Sequence, residues 1–238
     1  MFTRPDNGVY PSNALSSDID IAELAARLSI IRLRRSGRVI FYDDFATGLA
    51  WFIPGIAATG IYSISPVGNV RPYTPPGLLY LIGTAGNYAT TLTNLPMIAV
   101  SMLGIEVTMT FGNNQLPNLA DYFEIFYTGN LMQSGIRWNT TAHQWEYWSS
   151  GGTWTVISGL PAPTSLVNNE WGNIKVVLDI ANKRYETLYY NRDIYSLSLA
   201  AQSTANLGAQ LSLSVIDASG STAGVMIDNV IVTTDERT

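Results

Sequence analysis

Trp138, Trp145, Tyr147, Trp148 and Trp154 fall within seventeen residues of a 238-residue chain. Flat aromatic faces stack on the C–H surfaces of sugars, while amides pair with sugar hydroxyls. Gln133, Asn139 and Gln144 supply such amides close by. Strand periodicity in Gln144-Trp145-Glu146-Tyr147-Trp148 puts Trp145 and Tyr147 on one face and Trp148 on the other. The five aromatics are therefore candidates for a glycan platform. They are also residue types that pack within and between β-sheets, which is the plainer use and the weightier one at this point. The single histidine, His143, sits in a turn-like segment, and with no G-x-S-x-G sequence it builds no triad.

The elements that must position these side chains read as strands. Period-2 segments occur at 39–45, 61–65, 78–83, 88–93, 104–111, 122–128, 134–138, 144–149, 153–157, 173–180, 184–190, 193–198, 209–216 and 225–233. Turn signals such as Pro54-Gly55, Pro75-Pro76-Gly77 and Gly151-Gly152 punctuate them. In 171–191, Ile174, Val176 and Leu178 alternate with other residues, Ala181-Asn182-Lys183 turns the chain, and Tyr185, Thr187 and Tyr189 alternate again. Many short strands without interleaved helices predict a sandwich rather than a parallel α/β sheet. The first 38 residues differ. Residues 1–16 read as an extended arm, and Ile21, Leu24, Ala25 and Leu28 share one face of a short helix over 18–28. The expected organisation is an arm with a short helix over 1–38 and one β-sandwich over 39–238.

Apolar residues make up 47% and charged ones only 13%, about half the usual share for a soluble domain. A surface so poor in charge suits a glycan-binding face or a subunit contact. Net charge is −5, so the whole molecule has no general attraction for nucleic acid. That charge divides into +2 over residues 1–38 and −7 over the rest. Arg32, Arg34 and Arg35, with Ile21, Leu24 and Leu28, make the arm a candidate assembly interface, because Arg suits bidentate pairs across a contact. The absence of cysteine excludes a disulfide scaffold and thiol chemistry. No basic-then-apolar leader pattern opens the sequence, and no window approaches the ~18 apolar residues of a membrane span. Synthesis without Sec export, with incorporation into a particle, is the expectation.

Three motifs carry a family likeness: Phe41-Tyr42-Asp43-Asp44-Phe45 followed by Trp51, the Trp171–Asn191 hairpin, and Met226-Ile227-Asp228-Asn229-Val230-Ile231-Val232. In order and spacing they resemble the concanavalin A-like (laminin-G-like) lectin and glucanase jelly rolls, over roughly 39–234. The resemblance implies an all-β jelly-roll β-sandwich whose first and last strands lie side by side. It also implies that Asp43, Asp44 and Asp228 converge, where related folds hold a structural calcium ion on carboxylate and backbone oxygens. Capping of turns and strand ends by Asp is the plainer use. Family-16 glycoside hydrolases share this fold and carry a Glu-x-Asp-x-x-Glu strand. The nearest stretch here, Asp121-Tyr122-Phe123-Glu124, has a spacing of three, which points its acids to opposite faces.

The expected role is therefore non-enzymatic and needs no cofactor beyond a possible calcium. It is a structural or adhesive subunit of a larger assembly, such as a phage or virus-like particle, with other copies or neighbouring subunits as partners. The alternative is a soluble glycan-binding, lectin-like module. A diverged glycosidase comes third. Fold alone decides between none of them.

Overall fold

Among the described residues the alternation read from the sequence becomes fifteen strands. They are β1 (Arg38–Asp43), β2 (Ile61–Ser63), β3 (Leu79–Ile82), β4 (Tyr88–Leu95), β5 (Met102–Phe111), β6 (Asp121–Thr128), β7 (Met132–Asn139) and β8 (Gln144–Trp148). There follow β9 (Trp154–Val156), β10 (Gly172–Asp179), β11 (Arg184–Tyr190), β12 (Asp193–Ala200), β13 (Gln202–Ser203), β14 (Ala209–Asp217) and β15 (Gly224–Thr234). The computed structural model describes residues 37–45, 51, 61–63, 79–82, 88–96, 101–111, 121–129, 131–139, 142–161, 171–205, 208–217 and 224–236. The arm residues Ile21, Leu24, Leu28, Arg32, Arg34 and Arg35 lie outside the described residues, as does the helix expected at 18–28.

Two antiparallel sheets form the sandwich. Sheet A runs β12-β11-β10-β5-β15-β3-β2, with β1 also paired to β15. Sheet B runs β4-β14-β6-β7-β8-β9, with β13 paired to β7. The first described strand and the last are neighbours, Asp43 opposite Val230 and Tyr42 opposite Ile231, as the resemblance implied. β13 has no counterpart among the expected strands. It is two polar residues long, too short for any periodicity to register.

Alternate residues of both sheets meet in one core. Leu103, Ile105, Val107 and Met109 of β5 and Ile174, Val176 and Leu178 of β10 face Phe123 and Ile125 of β6 and Leu211, Leu213 and Val215 of β14. Each such side chain contributes about 1.5–3 kcal/mol by leaving water, and a one-residue slip would turn the whole set outward. The core thereby fixes which side chains of sheet B face outward. The β10–β11 hairpin closes as its turn residues predict. The Asp179 carboxylate accepts from Asn182 N at 2.9 Å and Nδ2 at 2.7 Å, and Lys183 takes a positive φ of 54°.

Candidate binding surface

Cross-strand register lays the outer face of sheet B out in transverse rows. One row reads Thr90, Ser214, Glu124, Arg137, Glu146, Val156, taking one residue from each of β4, β14, β6, β7, β8 and β9. The adjacent row reads Leu92, Ser212, Phe126 and Gly135, and continues through Trp148 opposite Trp154. A polar stripe thus runs beside an aromatic one. Neither stripe is contiguous in sequence.

Arg137 organises the polar row. Its Nε and Nη2 reach Glu146 Oε2 at 2.6 and 2.5 Å, and its Nη1 reaches Glu124 Oε1 at 3.3 Å. Glu146 Oε1 accepts from Asn139 Nδ2 at 2.8 Å and Gln144 Nε2 at 2.9 Å. The two carboxylates are pushed in opposite directions. Burial raises the Glu124 carboxyl above its ordinary range, and the charge of Arg137 only partly offsets this. Burial also works against ionisation of Glu146, but the donors on Gln144, Asn139 and Arg137 outweigh it and hold the carboxyl below the usual range.

The aromatic row is built over a glycine. A Cβ on Gly135 would come within 2.5 Å of Phe126 Cδ2 and 2.8 Å of Trp154 Cη2, so only glycine lets the rings close over the strand. Phe126, Trp148 and Trp154 meet edge-to-face, with centroids 5.5, 6.2 and 5.4 Å apart. The Arg137 guanidinium lies 4.4 Å from the centre of the Trp154 ring, and Trp148 Nε1 donates to Gln202 Oε1 at 2.6 Å. All three rings remain half-exposed. They form an anchored, partly solvated aromatic surface.

Tyr185, from the opposite sheet, supports this surface from beneath. The β7–β8 ladder ends at Ile136 opposite Tyr147, and β13 pairs with β7 at Gln133 and Met132. The buried Tyr185 hydroxyl fills the gap. It accepts from Gly135 N at 2.7 Å and lies within donating distance of Trp148 O at 2.9 Å and Gly135 O at 3.1 Å. Burial pushes its phenol well above the ordinary range, so it stays protonated.

The five aromatics singled out in the sequence therefore divide. Trp148 and Trp154 lie on the outer face, where a ligand can reach them. Trp138 and Trp145 are buried, 5% and 2% exposed, with centroids 5.4 Å apart. Trp145 also packs on Tyr190 of sheet A and donates Nε1 to Pro161 O. Tyr147 points inward too, its ring 5.5 Å from that of Tyr185. These three are removed from the platform, because strand parity turns them into the core while it turns Trp148 out. His143 is exposed in a turn with φ 52°.

The three aspartates lie near the β1–β15 pairing, each with hydrogen-bond partners of its own chain. Asp43 accepts from Phe45 N at 2.8 Å through Oδ1 and from Trp51 Nε1 at 2.7 Å through Oδ2. It caps the end of β1 and ties down the Trp51 ring. Its carboxyl is raised to about 6, chiefly by burial. Asp44 Oδ2 and Asn229 Oδ1 both lie within reach of the Tyr42 hydroxyl. Asp228, fully buried, accepts from Asn229 Nδ2 at the β15 bulge. Among the described residues no group of three His, Cys, Asp or Glu side chains is placed to hold a metal ion. Likewise, among those residues no helix is long and apolar enough to cross a membrane.

The Glu124–Arg137–Glu146 cluster was missed in the sequence because its members are 13 and 9 residues apart. A signal existed. Glu146 stands between two inward aromatics, and a hairpin whose last paired residues are Asn139 and Gln144 puts Arg137 opposite Glu146.

No family model and no curated protein sequence matches this chain. Solved structures do. Arcelin-5, a lectin-like defense protein from Phaseolus vulgaris, superposes with a TM-score of 0.56 at 10% identity, over 83% of this chain and 98% of its own. The botulinum neurotoxin type G receptor binding domain gives 0.51 at 12%, over 84% of this chain and 49% of its own. The binding domain of botulinum neurotoxin DC gives 0.48 at 12%, over 75% of this chain; the chain spans only 44% of that protein's length. At such identities the likeness concerns architecture: this chain is an all-β sandwich with the lectin-like fold.

Proposed function

We propose that this protein is a non-catalytic glycan-binding module whose platform is the outer face of sheet B. The observation that carries the reading is the half-exposed Phe126–Trp148–Trp154 surface running beside a row of hydroxyl and carboxylate side chains. Sugar rings present C–H faces for the aromatics and hydroxyls for Ser212, Thr90, Glu124 and Gln144. Gln202 and Arg137 hold the Trp148 and Trp154 rings in place, which lowers the ordering cost of binding. A binding role rather than glycoside hydrolysis is supported by the carboxylates themselves. Arg137 stands between Glu124 and Glu146, and both Glu146 oxygens are already engaged by donors. An acid–nucleophile pair needs two uncommitted carboxyl groups facing one bond.

The test is a glycan array followed by titration calorimetry, with Trp148→Ala and Trp154→Ala as variants. Binding that falls at least about tenfold in both variants, with far-UV circular dichroism unchanged, is the expected result. Binding indifferent to both, or absent across a broad array, would sink the reading.

A further inference from the structure

The strands of sheet B carry one cation among seven strands. On the outer face Arg137 is set against two carboxylates, Glu124 and Glu146. That cation is already committed. Its nitrogens engage Glu146 and Glu124, and its flat face lies on Trp154. Glu124, with a side chain 13% exposed, is the carboxylate at the open side of the cluster, and Ser214 neighbours it on β14. A carboxylate has acceptor sites beyond the single one that Arg137 takes on Oε1, and hydroxyl donors suit them.

We infer that the platform selects neutral, hydroxyl-rich glycans and rejects those ending in a carboxylate or sulfate. This rests on the glycan-binding reading above and names the ligand class for the same surface. A neutral sugar stacked on Trp148 or Trp154 offers hydroxyl protons to Glu124. An anionic sugar at the same position meets like charge, and the only cation on these strands is engaged elsewhere. Like charges brought together across an interface disfavour binding, which turns a shared scaffold into a preference.

The experiment uses the full chain and an array of matched pairs, each a neutral oligosaccharide and its sialylated or sulfated counterpart, with calorimetry on the best pair. The neutral member is expected to bind at least about tenfold tighter at low salt. Glu124→Gln is expected to narrow the gap to about threefold or less, and raising salt is expected to narrow it on the unaltered protein through screening. The salt arm keeps the inference testable if the variant folds poorly. Acidic members that bind as well as neutral ones would overturn the selectivity while leaving the platform intact. A preference that neither Glu124→Gln nor salt alters would overturn the charge mechanism. No binding to any member of any pair would remove the platform itself, and the selectivity with it.

Discussion

The two sheets turn very different outer faces outward. On sheet A, Glu106, Thr108, Thr110, Lys175, Asn229, Ile231 and Thr233 are 0–2% exposed. On sheet B, Glu124, Phe126, Arg137, Trp148, Trp154 and Ser212 keep partial contact with solvent. Each face holds a Lys or Arg paired to carboxylate. Lys175 Nζ meets Glu236 Oε1 at 2.7 Å with both side chains 1% exposed, whereas Arg137 and Glu124 are 15% and 13% exposed. The same chemistry therefore does two jobs. Away from water it is a structural commitment, because an uncompensated buried charge is costly. Beside water it sets the charge that the outer face of sheet B presents.

Removing a cation from each face separates the two cases most strongly. Lys175→Ala leaves Glu236 without its buried ammonium and is expected to cost ~3–5 kcal/mol in urea unfolding. Arg137→Ala should cost less than half of that, because water can reach the carboxylates it leaves. Equal losses would break the comparison.

The next effect is read from pH. The Asp43 carboxyl lies on β1 of sheet A and is raised to about 6 from 3.8, so the folded state holds its proton more tightly than the unfolded one. Its stabilisation is fully present below about pH 4 and is lost as pH rises through 6, on the order of 2–3 kcal/mol. Glu146 on sheet B is shifted the other way. Its contribution is present above the ordinary glutamate range and is lost as pH falls through its lowered value. Stability curves of Asp43→Asn and Glu146→Gln, measured by thermal unfolding against pH, should differ from the parent in opposite directions. A common direction would show that one of the two environments has been misassigned.

Tyr185→Phe tests the link between the sheets. It leaves the buried Gly135 N–H without its acceptor and should cost ~1–3 kcal/mol. Because Trp148 O is also within reach of that hydroxyl, the near-ultraviolet tryptophan signal of the outer platform should change with it. A loss of stability with an unaltered tryptophan signal would uncouple the core from the site.

Much of the fold was legible because burial on one face writes a period of two into the chain. Leu103, Ile105, Val107 and Met109, or Leu211, Leu213 and Val215, can be read as strands without any partner in view. The edges of the pattern were not legible. β13 is held by pairing with Gln133 and Met132 rather than by its own periodicity. The candidate site was half legible for a related reason. Alternation correctly separated Trp145 and Tyr147 from Trp148, but it does not say which of two faces is the core. The polar row depends on register between strands that are distant in sequence, such as Ser214 opposite both Thr90 and Glu124 across two ladders.

The smallest expected change in stability is also the sharpest test of the outer face. Trp154→Ala removes two edge-to-face ring contacts and the cation–π contact with Arg137. It opens no cavity between the sheets, because the ring lies outside the core. The surface contacts together are worth about 1 kcal/mol once solvent replaces them. Trp145→Ala, on the strand beside it, empties a site walled by Trp138 and Tyr190 and should cost ~3–5 kcal/mol. Denaturant midpoints of the two variants thus measure which side of sheet B faces water. If Trp154→Ala costs as much as Trp145→Ala, the Phe126–Trp148–Trp154 surface is packing, and it has no area to offer a ligand.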